Sequence, residues 1–164
     1  MPTRLLIPSL VVAALCASPL PAQTTQNTPQ LTRAIAQARA SLDMVLQRLA
    51  DGDGAYHPAL NLKVRVEVHN FDVDHESLWV EGLYRESDGY HGRLATAPGY
   101  LPGAQLGDEI RFAADQIVDW SVLSDDGRMY GHFTTRALIA QMPAEEAGEI
   151  RDLLSATPIP DIWR

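Results

Sequence analysis

The chain is poor in three things: cysteine, long apolar runs and basic charge. Its one cysteine, Cys16, lies in the N-terminal apolar segment, so the remainder of the 164 residues has no thiol for a disulfide or a Cys-based metal site. The longest apolar run, Leu5 to Ala17, falls short of the roughly 20 residues a membrane-spanning helix needs, and Pro8 interrupts it. Thirteen Lys and Arg against 21 Asp and Glu give a formal net charge of -8. That sign disfavours nucleic acid and anionic lipid surfaces as partners, and its usual meaning is solubility. Phosphate-cradling and dinucleotide glycine patterns are missing, as are Gly-x-Ser-x-Gly and His-Glu-x-x-His. No residue is therefore assigned as catalytic, and no cofactor is implied. No repeat at solenoid or propeller periods is present.

What the N-terminus does contain is an address. Met1 to Arg4 is short and positive, Leu5 to Ala17 is apolar, and Ser18 to Ala22 ends on a small residue before polar Gln23. This order predicts a secretory signal peptide over 1–22, cut after Ala22, and a periplasmic or secreted product with no membrane attachment after cleavage. Lipidation of Cys16 is the rival reading, opposed by Leu15 where a small residue is expected. Cleavage removes Arg4, leaving 12 basic against 21 acidic residues, or -9. It also leaves packing alone to hold about 140 residues together.

Segments 23–61, 62–142 and 143–164 differ in pattern. After polar Gln23 to Asn27, Thr28-Pro29 reads as an N-cap and first helical residue. Leu31, Ile35, Ala38, Leu42, Val45, Leu46 and Leu49 then mark one helical stripe of about 22 residues, roughly 33 Å, closed by Asp51-Gly52. From Leu62 the period becomes two, with Leu62, Val64, Val66 and Val68 alternating with polar residues. Further strands are expected at 78–84, 90–95, 109–112, 120–123 and 129–134. Ile117 to Trp120 serves as a stop, and turns fall at Ser87-Asp88-Gly89 and Asp125-Asp126-Gly127. A short helical piece, 137–142, and a second helix opened by Pro143-Ala144-Glu145-Glu146 follow. The predicted fold is α+β: a small, strongly bent antiparallel sheet, partly rolled and barrel-like, with a long N-terminal helix and a short C-terminal one.

One ordered set of residues is distinctive. Glu76-x-Leu78-Trp79-Val80, Gly92-x-Leu94, Leu106-Gly107-Asp108-x-Ile110-x-Phe112 and Ile117-x-Asp119-Trp120 are followed by Asp126-Gly127, Gly131-x-Phe133-Thr134-x-Arg136 and Met142-Pro143-x-Glu145-Glu146. In this order they resemble the YegJ-type bacterial family, the domain of unknown function numbered twenty-three fourteen, over about 62–146. The resemblance implies bacterial origin and a compact module that can be secreted or attached to other domains. It implies no activity. Where that pattern has Glu-His-x-Trp, this chain has Glu76-Ser77-Leu78-Trp79.

Candidate sites are few. Asp72, Asp74, His75 and Glu76 crowd one loop and are the candidates for a metal, weighed against a solvated acidic loop that binds calcium or zinc only adventitiously. Of the other histidines, His57, His69, His91 and His132, the last three offer one further ligand and two acid–base partners for Asp119. Trp79, Tyr100, Trp120 and Tyr130, with Asp108 and Asp119, are the candidate binding residues, because aromatics are favoured at interaction hot spots. Structural duties compete here: Asp119-Trp120 as a buried hydrogen-bonded pair, Asp108 as a turn residue. The sequence thus points to a non-enzymatic interaction or ligand-binding module with an unknown envelope protein as partner. The alternative is a small envelope hydrolase or metal-assisted enzyme using loop 72–76.

Overall fold

The computed structural model describes residues 29–71 and 73–164. The signal segment with Cys16, the polar 23–27 stretch, the Thr28 cap and Asp72 lie outside the described residues.

Helix α1 runs Pro29–Arg48, 20 residues; Gly52, expected as its C-cap, lies four residues past its end, in a separate turn at φ +72°, a conformation glycine adopts without steric cost. Its buried face is Leu31, Ala34, Ala38, Ser41, Leu42, Val45 and Leu46. This is the expected stripe, with Ile35 and Leu49 only half-buried at its margins. Six strands follow, one at each of the six segments where the pattern places a strand: β1 Leu60–Glu67, β2 His75–Arg85, β3 Tyr90–Leu94, β4 Glu109–Phe112, β5 Ile117–Leu123 and β6 Met129–Gly131. They form one antiparallel sheet in the order β4-β3-β2-β1-β5-β6.

Two local expectations are corrected. Ile117 to Trp120 is the first half of β5 rather than a stop; the strand is buried on both faces, its polar Asp119 and Ser121 included. Strand β6 ends at Gly131, and helix α2, Phe133–Leu138, starts where a strand is expected to continue. A 3₁₀ turn at Ile139–Gln141 precedes α3, Ala144–Leu153.

The sheet is rolled because its connections leave no alternative. Neighbouring strands stand about 4.8 Å apart, so β4 and β5, four steps apart in the order, are roughly 19 Å apart in a flat sheet. They are also offset along the strands. Phe112 aligns through Tyr90 with Arg85 of β2, whereas Ile117 aligns through Val64 with Leu78. Residues 113–116, three of them a 3₁₀ turn, reach only about 15 Å. Curling brings the ends within reach, helped by bulges at Val118 and around Gly82, the latter at φ +59°. The roll stays open, with β4 and β6 as separate edges.

The concave face holds the core: Leu60, Leu62, Val64, Leu78, Val80, Leu94, Ile117 and Trp120 against Ala38, Leu42, Val45 and Leu46 of α1. Trp120 has no exposed surface; its indole N–H donates to Ser41 Oγ (3.0 Å) and Ala38 O (3.2 Å) on the helix. The convex face lies opposite by alternation, and its side chains build the candidate site.

Candidate functional site

Lys63 sits between two cross-strand neighbours, Trp79 on β2 and Asp119 on β5. Their adjacent residues Leu62, Val80 and Trp120 point into the core, so Trp79, Lys63 and Asp119 form a row across the convex face. The start of α2 covers the Asp119 end of this row.

Asp119 is fully buried, and its carboxylate accepts four hydrogen bonds. Oδ1 takes the N–H of Trp120 (2.9 Å) and of Phe133 (3.1 Å); Oδ2 takes the N–H (2.7 Å) and hydroxyl (2.6 Å) of Thr134. Helix α2 has no side-chain cap from His132, the residue at its N-cap position, so a strand carboxylate distant in sequence satisfies its first N–H groups. Burial raises the Asp119 carboxyl above the usual carboxylate range, opposed by these hydrogen bonds and by the facing Lys63 charge.

The Thr134 hydroxyl gives its proton to Asp119 and accepts from Lys63 Nζ (3.1 Å). The ammonium also lies 5.0 Å from the centre of the Trp79 ring, within cation–π range. Burial lowers the Lys63 amine, partly offset by Asp119. Among the described residues Lys63 has no carboxylate within ion-pair distance.

His132 completes the cluster, its ring centre 4.8 Å from that of Trp79. Its backbone has φ +54°, left-handed and uncommon outside glycine, next to Gly131 at +74°. A Cβ on Gly131 would run into the Trp120 carbonyl, so only glycine allows the turn that swings His132 over the sheet. Burial, with Lys63 and Arg136 nearby, lowers the imidazole to about 4. Arg136 braces the same turn. Its Nε donates to Gly131 O (2.8 Å), and its terminal nitrogens donate to Ser155 O (3.0 Å), Ser155 Oγ (3.0 Å) and Met129 O (3.3 Å), tying the C-terminal segment to β6.

The arrangement can hold a ligand group. Lys63 offers donors, and the half-buried Trp79 and His132 rings offer apolar flanks. Asp119 takes its hydrogen bonds from Trp120, Phe133 and Thr134 rather than from His132 or His91, and has no exposed surface. His91 instead pairs with Glu86 (2.9 Å) and stacks on Tyr84 elsewhere on the sheet.

The other expected residues are dispersed. Trp79 and Trp120 lie on opposite faces, so Trp120 lines no groove; it is core. Tyr130 is half-buried against the core at β6. Tyr100 is half-buried in a loop fastened by Glu76, whose carboxylate accepts from the N–H groups of Gly99 (2.6 Å) and Tyr100 (3.0 Å). Asp108 is exposed and accepts from Gln105 N–H (2.8 Å), a turn duty. Asp74 and His75 are exposed, and the described residues contain no group of three or more side chains able to hold a metal. Lys63, His132, Thr134 and Arg136 were absent from the expected binding set. Lys63 reads as an ordinary polar alternant, and the signal for the rest was the ordered Gly131-x-Phe133-Thr134-x-Arg136.

These features define a small α+β module: a rolled open sheet, a strand aspartate capping a distant helix, and a Lys–Trp–His cluster on the convex face. The chain belongs to the bacterial family DUF2314, described as an uncharacterized protein conserved in bacteria, whose profile matches residues 28–153. It is 32% identical over 74 residues to a Neisseria meningitidis serogroup B (strain MC58) protein named for ankyrin repeats, covering 45% of this chain and 29% of that protein. It is 28% identical over 76 residues to the uncharacterized protein YegJ of Escherichia coli K12, covering 46% of this chain and 49% of YegJ. The matched stretches thus span less than half of either relative. No solved structure matches the chain.

Proposed function

We propose that this chain is a non-enzymatic binding module of the bacterial envelope, and that the convex-face cluster of Lys63, Trp79 and His132 receives the ligand. The observation that carries the reading is a lysine with no carboxylate within ion-pair distance among the described residues, held by Thr134 against the half-exposed Trp79 ring, which His132 flanks. An acidic chain that keeps one cation desolvated in this way suits a group bearing a carboxylate beside a flat apolar part. An envelope protein presenting such a group is the natural partner, with rings and cation acting as the hot spot. The secretory-type N-terminus supports the compartment.

The enzyme alternative has less behind it. Glu76 is already engaged by the loop it fastens, and Asp119 is enclosed.

The test uses benzoate as the probe. In ¹H–¹⁵N spectra, benzoate is expected to shift the Trp79 indole and neighbouring amides, and Lys63→Met to weaken that binding at least about tenfold, the scale of one charge-assisted contact. Benzyl alcohol, which lacks the charge, is expected to bind far more weakly. Equal responses to both probes, or an unshifted Trp79 indole, would remove the basis for the site. N-terminal sequencing of protein from the envelope fraction, expected to start at Gln23, tests the compartment separately.

A further inference from the structure

Among the described residues strand β4 is a free edge with a usable backbone. The Leu94 N–H donates to Asp108 O (2.9 Å), which fixes the parity of the ladder: Asp108, Ile110 and Phe112 turn their backbone groups toward β3. The N–H and C=O of Glu109 and Arg111 therefore point away from the sheet, and no described residue takes them up. The opposite edge is managed differently. At β6, Met129 bridges Leu154, and Gly131 N–H donates to Pro158 O (2.7 Å), so the C-terminal segment covers it.

Edge strands usually discourage pairing with charges, prolines or cover. β4 carries charges, but their order is self-complementary. Glu109 and Arg111 stand two residues apart on one face, with side chains 57% and 67% exposed. An antiparallel pairing of β4 with itself about a twofold axis through Ile110 sets Glu109 opposite Arg111 of the second copy, and Arg111 opposite its Glu109. The same register makes both of these hydrogen-bonded pairs, because they are the residues whose backbone groups face outward. Ile110 meets Ile110 at the non-hydrogen-bonded position on the axis, where side chains approach most closely. Backbone parity and charge order select one register together.

We infer that β4 is a homodimer edge, joining two copies of this chain into one continuous twelve-stranded sheet. Four backbone hydrogen bonds and two Glu–Arg pairs make a short contact, placing the dimer among small, reversible interfaces. The occupant is a second copy because the edge is complementary to itself. A foreign strand would have to match an alternation that the chain already supplies. This surface is independent of the convex-face cluster.

The test measures mass and amide exchange on the same protein. Light scattering across a concentration series to about 200 µM, a range suited to weak association, is expected to approach twice the monomer mass of the protein used. Arg111→Glu places like charges opposite one another twice and is expected to weaken association at least about tenfold. The swap Glu109→Arg with Arg111→Glu restores complementarity and is expected to restore the dimer. Hydrogen exchange keeps folding out of the comparison. Ile110 and Phe112 amides, bound to β3, stay protected in every variant, while Glu109 and Arg111 amides lose protection only in Arg111→Glu.

Three results would overturn the proposal. One is a monomer throughout with freely exchanging Glu109 and Arg111 amides. Another is a dimer indifferent to Arg111→Glu. The third is a monomer in which those amides are nevertheless protected, which would put another segment of the same chain on the edge.

Discussion

His132 makes a pH-dependent prediction whose size follows from the structure. Its imidazole is held at about 4 by burial and by the charges of Lys63 and Arg136, whereas the unfolded ring titrates near 6.5. Between these values the unfolded state binds a proton that the native ring refuses, so stability falls as pH falls from about 6.5 towards about 4. At pH 5 the full shift corresponds to about 2 kcal/mol. The ring is partly exposed, so solvent screening reduces the expected contribution to on the order of 1 kcal/mol, or a Tm difference of a few degrees for a chain this size. Asp119 works in the opposite sense in acid, because its raised carboxyl favours the protonated native form, and other carboxylates also titrate there. The comparison is therefore with His132→Asn, which keeps a residue tolerant of the left-handed backbone and deletes only this titration. Urea unfolding of both proteins at intervals from pH 7 to pH 5 gives two stability profiles. The wild-type profile is expected to fall relative to the variant as the solution is acidified. Parallel profiles would refute the desolvated-histidine account.

Three substitutions test the frame behind the cluster. Asp119→Ala strands the N–H groups of Trp120, Phe133 and Thr134 and should cost about 3–5 kcal/mol in urea unfolding, with α2 amides losing protection first. Gly131→Ala meets both a forbidden approach to the Trp120 carbonyl and a positive φ, and should cost about 3 kcal/mol or more; a near-neutral result would show that the turn can be rebuilt. Glu76→Ala should speed amide exchange at Gly99 and Tyr100 while lowering global stability by no more than about 1 kcal/mol, since the loop it fastens lies outside the core.

Periodicity made the elements legible where one face meets solvent. α1 and β1 have clean stripes, and the Asp125-Asp126-Gly127 and Ser87-Asp88-Gly89 turns joined the strands expected of them. It missed the start of β5, where the bulge at Val118 interrupts the pairing, and failed at β6, where two consecutive left-handed residues convert a strand into a helix within one step. The cluster was half visible. Trp79 and Asp119 stand out as residue types, yet whether Trp120 joins them depends on which face each side chain takes. That parity is set by strand pairing and by the bulge at Val118, both of which are long-range properties. Lys63 was hidden for a related reason: its environment comes from β2, β5 and α2, none of them its neighbour in sequence.

The central position of β1 also sets a schedule for the molecule's synthesis. Its second partner, β5, begins only 50 residues after β1 ends. At about 5–20 residues per second, the nascent chain presents one side of β1 unpaired for several seconds. A break in translation within that interval would release a sheet whose middle strand is still an edge. This favours keeping the whole span from β1 to β6 together and disfavours division between β4 and β5.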